Sequence, residues 1–226
     1  MKKIGLVGGI SWVSTVDYYT LINQQVNTIL GGLNAAEIII YSINFAELQE
    51  KTWTNAYDLL YNACKSLKDA GVEAIALGAN TAHLYATQLE NALQLPFIHI
   101  VAETAHTIKK LGLETIGLLG TKFTMELGFY QEILHSNGLK VLTPTTQTER
   151  DYVQSVVKNE LGKGIVNEDS KKAFVEIGNE LIRNGAQGII LGCTEIPLLL
   201  TQDDFSVPVF DTTKIHVNAI VQYMLS

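Results

Sequence analysis

A chain of 226 residues, 47% apolar and only 17% charged, can bury a real core as one large domain or two small ones. Its net charge of -7 and its two arginines, Arg150 and Arg183, argue against a nucleic-acid-binding face, which needs concentrated Lys and Arg. No apolar run approaches the roughly 18 residues of a membrane span, and two distant cysteines make no disulfide framework, so a cytoplasmic protein with reduced thiols is expected.

The N-terminal MKKIGLVGGISW has a basic start, as a signal peptide would. Its apolar run meets glycines at once, which fits a buried first strand entering a loop better. VGGIS lacks the GxGxxG of a dinucleotide site, and Gly9 reads as part of a tight turn passing close to substrate. In YDLLYNACKSLKDAG, Tyr57, Leu60, Cys64 and Leu67 share one helical face and Gly71 is a plausible stop, so Cys64 reads as core. IALGANTAH follows as a strand opening into a turn. There Asn80 and Thr81 offer amide and hydroxyl groups suited to a carboxylate, or alternatively to capping a helix. His83 has two readings, as a proton carrier or orienting group and as a structural helix-side residue.

Past residue 103 the pattern repeats. IGLLGTKF matches IGLVGGIS 112 positions later, IILGCTE matches IALGANT, and VPVFDTTKIHVNAI aligns loosely with LPFIHIVAETAHTI, again 112 positions on. Each piece is a short, nearly all-apolar strand, as in parallel sheets buried on both faces. Helical patterns lie between them, for example Phe174, Ile177 and Leu181 closing at Gly185. The expected fold is α/β, with two similar doubly wound lobes of parallel-sheet core related by a pseudo-twofold. Residues 1–103 with a returning segment 212–226 form the first lobe, and residues 104–211 the second. Ligands of such sheets bind beyond the carboxyl ends of the strands, which places the expected site in the cleft between lobes.

Gly192–Cys193–Thr194 is the sharpest local signal. A strand runs into Gly192, so the Cys193 thiol sits where the sheet opens, beside backbone N–H groups able to hold a thiolate or carboxylate. The five histidines show no compact ligand spacing, and no metal site is expected.

Together IGLVGGISWVST, YSINFAEL, GANTAH, IGLLGT, ELGKGI, ILGCTEIPLL and VPVFDTTKIH resemble the aspartate/glutamate racemase superfamily, most closely its aspartate racemase branch. The resemblance implies racemisation of a small acidic amino acid without cofactor. Two thiols on opposite faces of the α-carbon take and give the proton. It makes Cys193 one acid/base and puts Ala79 where the other cysteine would stand. By the same resemblance Asn80, Thr81 and Thr194 grip the substrate carboxylate and Lys163 receives its acidic side chain. His83 and Glu195 take secondary roles, and a homodimer is the usual state. The branch's usual arginine is not visible around Asn44–Lys51. Ala79 leaves three readings open: an inactivated Cys→Ala form, a variant with another proton carrier such as Thr81 or water, and a single-cysteine decarboxylase. A different isomerase and a non-catalytic acid-binding protein complete the alternatives.

Overall fold

In a computed structural model describing residues 1–226, the sequence repeat becomes two four-stranded parallel sheets with the same strand order. The chain divides into two units, Met1–Ile100 with Thr213–Ser226, and Val101–Thr212.

The first unit contains β1 (Ile4–Gly8), α1 (Trp12–Leu30), β2 (Ile38–Ser42), α2 (Phe45–Lys51) and α3 (Tyr57–Asp69). It continues with β3 (Ala74–Leu77), α4 (Ala86–Leu93) and β4 (Phe97–Ile98), in the sheet order β2-β1-β3-β4. All pairs are parallel, with Ile4 opposite both Ile38 and Ala74, and Ala76 opposite Ile98. In the second unit α5 (Ile100–Lys110) leads to β5 (Thr115–Gly120), α6 (Lys122–Glu126), α7 (Phe129–Ser136) and β6 (Lys140–Leu142). Then come α8 (Gln147–Asn159), α9 (Glu168–Arg183), β7 (Ile189–Gly192) and β8 (Val209–Asp211), in the order β6-β5-β7-β8. The last helix, α10 (Thr212–Leu225), belongs almost wholly to the first unit.

The changes of unit fall at Ile100/Val101 and Thr212/Thr213, against the residues 103 and 212 expected from sequence. Both crossings sit at the same point of the repeat, at the start of the helix that follows a fourth strand. Thus α5 follows a strand of the first unit but packs in the second, and α10 does the converse. One buried contact per unit marks the equivalence. Tyr18 of α1 hydrogen-bonds His216 Nδ1 of α10 at 2.9 Å, and Tyr130 of α7 hydrogen-bonds Thr104 of α5.

The repeated glycines have a packing cause. A Cβ on Gly5 would lie 3.1 Å from Leu67 of α3, and one on Gly117 3.1 Å from Leu181 of α9, so each central strand lets a helix leucine approach its backbone. The opposite face of the first sheet, with Ile4, Leu6, Ala74 and Ala76, packs on Tyr18, Ile22 and Val26 of α1 and on Val217, Ile220 and Met224 of α10. In the second unit Leu119, Ile189 and Leu191 pack on Val153 and Val156 of α8 and Phe174 and Ile177 of α9. The two helix stops read from sequence are glycines in the left-handed region, Gly71 at φ 81° and Gly185 at φ 102°. Cys64 is buried on α3 and desolvation raises its thiol to about 12, the behaviour of an inert core residue. No helix is long and apolar enough to cross a membrane.

Gly9 carries the tightest turn. It sits at φ 82°, and a Cβ there would come within 2.1 Å of the Ile43 carbonyl oxygen. Its N–H donates to Thr15 Oγ1 at 2.8 Å, and that hydroxyl donates to the Ser11 carbonyl. Gly9→Ala therefore destabilises the protein by at least about 2 kcal/mol, measurable as a lower urea midpoint with unchanged slope.

Candidate active site

In a parallel sheet of order 2-1-3-4, the connections leave the two central strands in opposite directions, and the loops beyond their carboxyl ends open a crevice. In the first unit those strands are β1 and β3. They deliver Gly9 on one side and Ala79, Asn80 and Thr81 on the other. In the second unit β5 and β7 deliver Thr121 and the Cys193–Thr194–Glu195 turn.

The second unit's turn is chemically the richer. Gly192 ends β7 where a Cβ would meet the Leu118 side-chain methyl at 2.7 Å and the Leu119 carbonyl oxygen at 3.2 Å, a tight fit that glycine avoids. The chain then turns, and a 3-10 segment, Ile196–Leu198, starts with Pro197 in its first turn. Cys193, Thr194 and Glu195 are all buried. The Cys193 thiol donates to Glu195 Oε2 at 2.9 Å, and Thr194 Oγ1 donates to the same oxygen at 2.8 Å. Burial pushes the Cys193 thiol well up, and the adjacent Glu195 carboxylate pushes it further by charge and as a hydrogen-bond acceptor. The backbone N–H groups of Thr194 and Glu195 do point at the sulfur, as the sequence suggests, but their pull toward thiolate is the smaller effect. At neutral pH the resting group is a thiol.

The first unit's turn holds no titratable group at position 79. Ala79 is buried, with Asn80 and Thr81 beside it. Asn80 adopts a helical conformation before the 3-10 segment Thr81–Tyr85, and its side chain does not cap that segment, so capping does not explain the residue. His83 is also buried. Its Nδ1 lies 3.0 Å from the Ala79 carbonyl, and its Nε2 accepts the Ile100 N–H at 3.3 Å. Desolvation first, and then the nearby His99 and His216 imidazoles, hold it well below the usual histidine range. A ring with both nitrogens on backbone groups is a poor proton shuttle.

Lys163 lies in the 3-10 segment Leu161–Lys163 after α8, exposed between Gly162 and Gly164, and its ammonium has no partner within the chain. The structure brings Thr194 and Glu195 to Cys193, and Asn80, Thr81 and His83 to Ala79. No hydrogen bond or ion pair joins the Lys163 side chain to the Cys193 turn. Two groups were not singled out from sequence. Ser11 caps α1 just past Gly9, and Thr121 caps α6 at the end of β5. Their signal was legible, because Thr121 directly follows the glycine that ends β5, Ser11 stands three residues past the one that ends β1, and each stands three residues before a hydroxyl residue. No group of three or more His, Cys, Asp or Glu side chains is arranged to hold a metal ion.

The family model for Asp/Glu/hydantoin racemases matches residues 7–220. A crystal structure of a candidate Asp/Glu racemase from Yersinia pestis superposes with a TM-score of 0.93 at 47% identity, over 100% of both chains. That of an aspartate racemase homologue from Pyrococcus horikoshii OT3 gives 0.85 at 36%, also over 100% of both. A broad specificity amino-acid racemase from Bacillus subtilis is 30% identical over 163 residues, 71% of this chain and 68% of the relative. Matches to glutamate racemases from Carnobacterium and Aquifex aeolicus cover 53% and 50% of their lengths.

Proposed function

Because the chain belongs to the Asp/Glu/hydantoin racemase family, we propose that it is built to interconvert L- and D-aspartate by moving the α-proton, with Cys193 as one acid/base and position 79 as the place of the other. Family and fold support a racemase or isomerase in general; the substrate and the residue roles are the proposal. The observation that carries it is the Cys193 thiol bonded to Glu195 at the end of β7, while the equivalent turn after β3 bears an alanine.

In such a reaction a thiolate on one face takes the α-proton: the C–H bond breaks, an S–H bond forms, and the electron pair passes to the α-carbon and its carboxylate. A thiol on the other face then delivers its proton, re-forming the C–H bond in the opposite configuration. Cys193, held as thiol, is the donor. Glu195 keeps it protonated and can receive the proton when the sulfur next acts as base. Asn80, Thr81 and Thr194 supply donors for the carboxylate, on which charge builds in the carbanion. Lys163 carries a positive charge for the substrate's side-chain acid. As it stands, the chain has one thiol for two faces, and Ala79 confines it to exchange on the Cys193 face. A homodimer is part of the same reading.

The test is α-proton exchange followed by NMR in deuterated water, with L- and D-aspartate supplied separately and no cofactor added. The proposal expects exchange from one enantiomer, lost in Cys193→Ala. Exchange that survives Cys193→Ala would remove that residue from the chemistry.

A thiol held protonated, with an alanine at the equivalent position of the other unit, also favours a second reading, delivery of a proton to one face of a carbanion left by decarboxylation. Release of carbon dioxide from an α-disubstituted malonate by the unaltered chain, with no aspartate exchange, would select it.

Glu195→Gln separates the causes acting on the thiol. Removing the charge lowers the Cys193 midpoint, read from ultraviolet thiolate absorbance in a Cys64→Ser background. An unmoved midpoint would mean that burial alone holds the thiol.

A further inference from the structure

We propose that His83 is the positioning residue of the first unit's site turn: its imidazole bridges the splaying ends of β3 and β4, and so fixes the direction in which residue 79 faces a substrate. The part concerning substrate rests on position 79 being an acid/base position; the bridge itself does not.

The parallel ladder between β3 and β4 is short. It pairs Ile75 with Phe97 and Ala76 with Ile98, then stops. Beyond it the buried backbone still needs partners, and two imidazoles provide them. His216 Nε2 lies 2.7 Å from the Ile98 carbonyl, and His83 Nε2 accepts the Ile100 N–H at 3.3 Å. The other His83 nitrogen faces the Ala79 carbonyl at 3.0 Å, immediately after the Gly78 that follows β3. One flat ring thus stands where strand-to-strand bonds would have been, and holds the two backbones apart by its own width.

The partners fix the protons. A carbonyl can only accept, so His83 carries its proton on Nδ1 and His216 carries its proton on Nε2. The Tyr18 hydroxyl, 2.9 Å from His216 Nδ1, then donates to it. The Ile98 carbonyl lies near His83 as well and would favour a second proton on that ring, but burial and the neighbouring imidazoles outweigh it. His99 packs on His83 with ring centroids 4.6 Å apart, and His216 packs edge-on at 5.5 Å. The bridge is therefore clamped on both sides and has little freedom to rotate.

The role is that of a spacer. Leucine in place of His83 removes the donor to the Ala79 carbonyl and the acceptor that His83 offers the Ile100 N–H, whereas glutamine keeps one donor and one acceptor in a single side chain. Three readouts decide. In the unaltered chain, long-range proton–nitrogen NMR at neutral pH is expected to show His83 protonated on Nδ1 and His216 on Nε2. A His83 protonated on Nε2 would overturn the bridge. Hydrogen exchange at the Ile100 amide is expected to quicken at least tenfold in His83→Leu and less in His83→Gln, with Leu77 unchanged. Equal protection in all three forms would overturn it. If His83→Leu does not fold, His83→Gln against the parent is decisive on the same readout.

In an Ala79→Cys background, His83→Leu is expected to lower kcat for aspartate exchange at least tenfold with KM within about twofold, and His83→Gln to restore part of it. A KM effect with kcat unchanged would mean that His83 supports binding and does not aim residue 79. If Ala79→Cys with His83 intact shows no exchange, the racemase reading fails, and the tautomer and amide readouts still decide the bridge.

Discussion

Replacing Ala79 with cysteine is expected to raise racemisation of both L- and D-aspartate by about 10²–10⁴-fold, the contribution of one well-placed acid or base. Position 79 is equivalent to Cys193 in the repeat: each is the second residue past the apolar core of a third strand, after a glycine that abuts a neighbouring strand's backbone. Its side chain is buried and its carbonyl is held by His83, so a sulfur added at this position is carried by a fixed backbone. The sign is decisive because an alanine methyl carries no transferable proton. Chiral chromatography of aspartate incubated with each form measures it. A gain in one direction only would mean that the two positions do not serve the same α-carbon. No gain, with folding intact, would assign the proton chemistry of the first face to another group.

Acid is expected to unfold the first unit well before carboxylate titration would do so. Burial holds His99 and His216 each down at about 4, and His83 lies well below the usual range for the same first cause, with both neighbouring imidazoles adding to it. Unfolded imidazoles take protons near pH 6.5. As pH falls below that value, the unfolded chain binds protons that the folded chain refuses, and stability drops. For His99 and His216 the loss accumulates between about 6.5 and 4, on the order of 3 kcal/mol each, and then levels off. That is a large fraction of a domain's ordinary stability. Glu149, Asp151 and Asp204, whose carboxyls are held below their ordinary values, retain their contributions through most of this window and lose them at lower pH. Urea unfolding at pH 7.5, 5.5 and 4.5 reads the slope, and a His99→Gln, His216→Gln form should flatten it. A parent chain equally stable at all three values would contradict buried neutral rings.

The repeat was legible because packing dictates it. Gly5 and Gly117 must lack side chains for Leu67 and Leu181 to approach, so the duplication survives as the same letters at the same spacing. Cys193 was legible for a related reason, since a polar residue after an all-apolar strand and a glycine has to emerge at the sheet's end. The return of segment 212–226 to the first lobe was read from the third repeat pair and not from the helix itself, because an amphipathic helix has the same pattern whichever unit it packs in. Nor could sequence place the Glu195 carboxylate on the thiol of Cys193, two residues away, since that depends on side-chain direction in a turn. His83, His99 and His216 form one cluster only after β4 and α10 are assembled, and in the sequence each looks solitary. Lys163 is the converse case: its motif is recognisable, but an exposed side chain on a glycine-flanked turn makes no contact that reveals its task.

The most direct test of two opposed thiols on one α-carbon is where solvent deuterium goes in the first few per cent of turnover of the Ala79→Cys form. The account predicts that the product enantiomer carries deuterium from the outset while the remaining substrate stays protiated, whichever enantiomer is supplied, because the group that takes the proton is not the one that returns it. Deuterium appearing early and equally in recovered substrate and product would mean that a single base serves both faces, and would contradict the assignment of position 79.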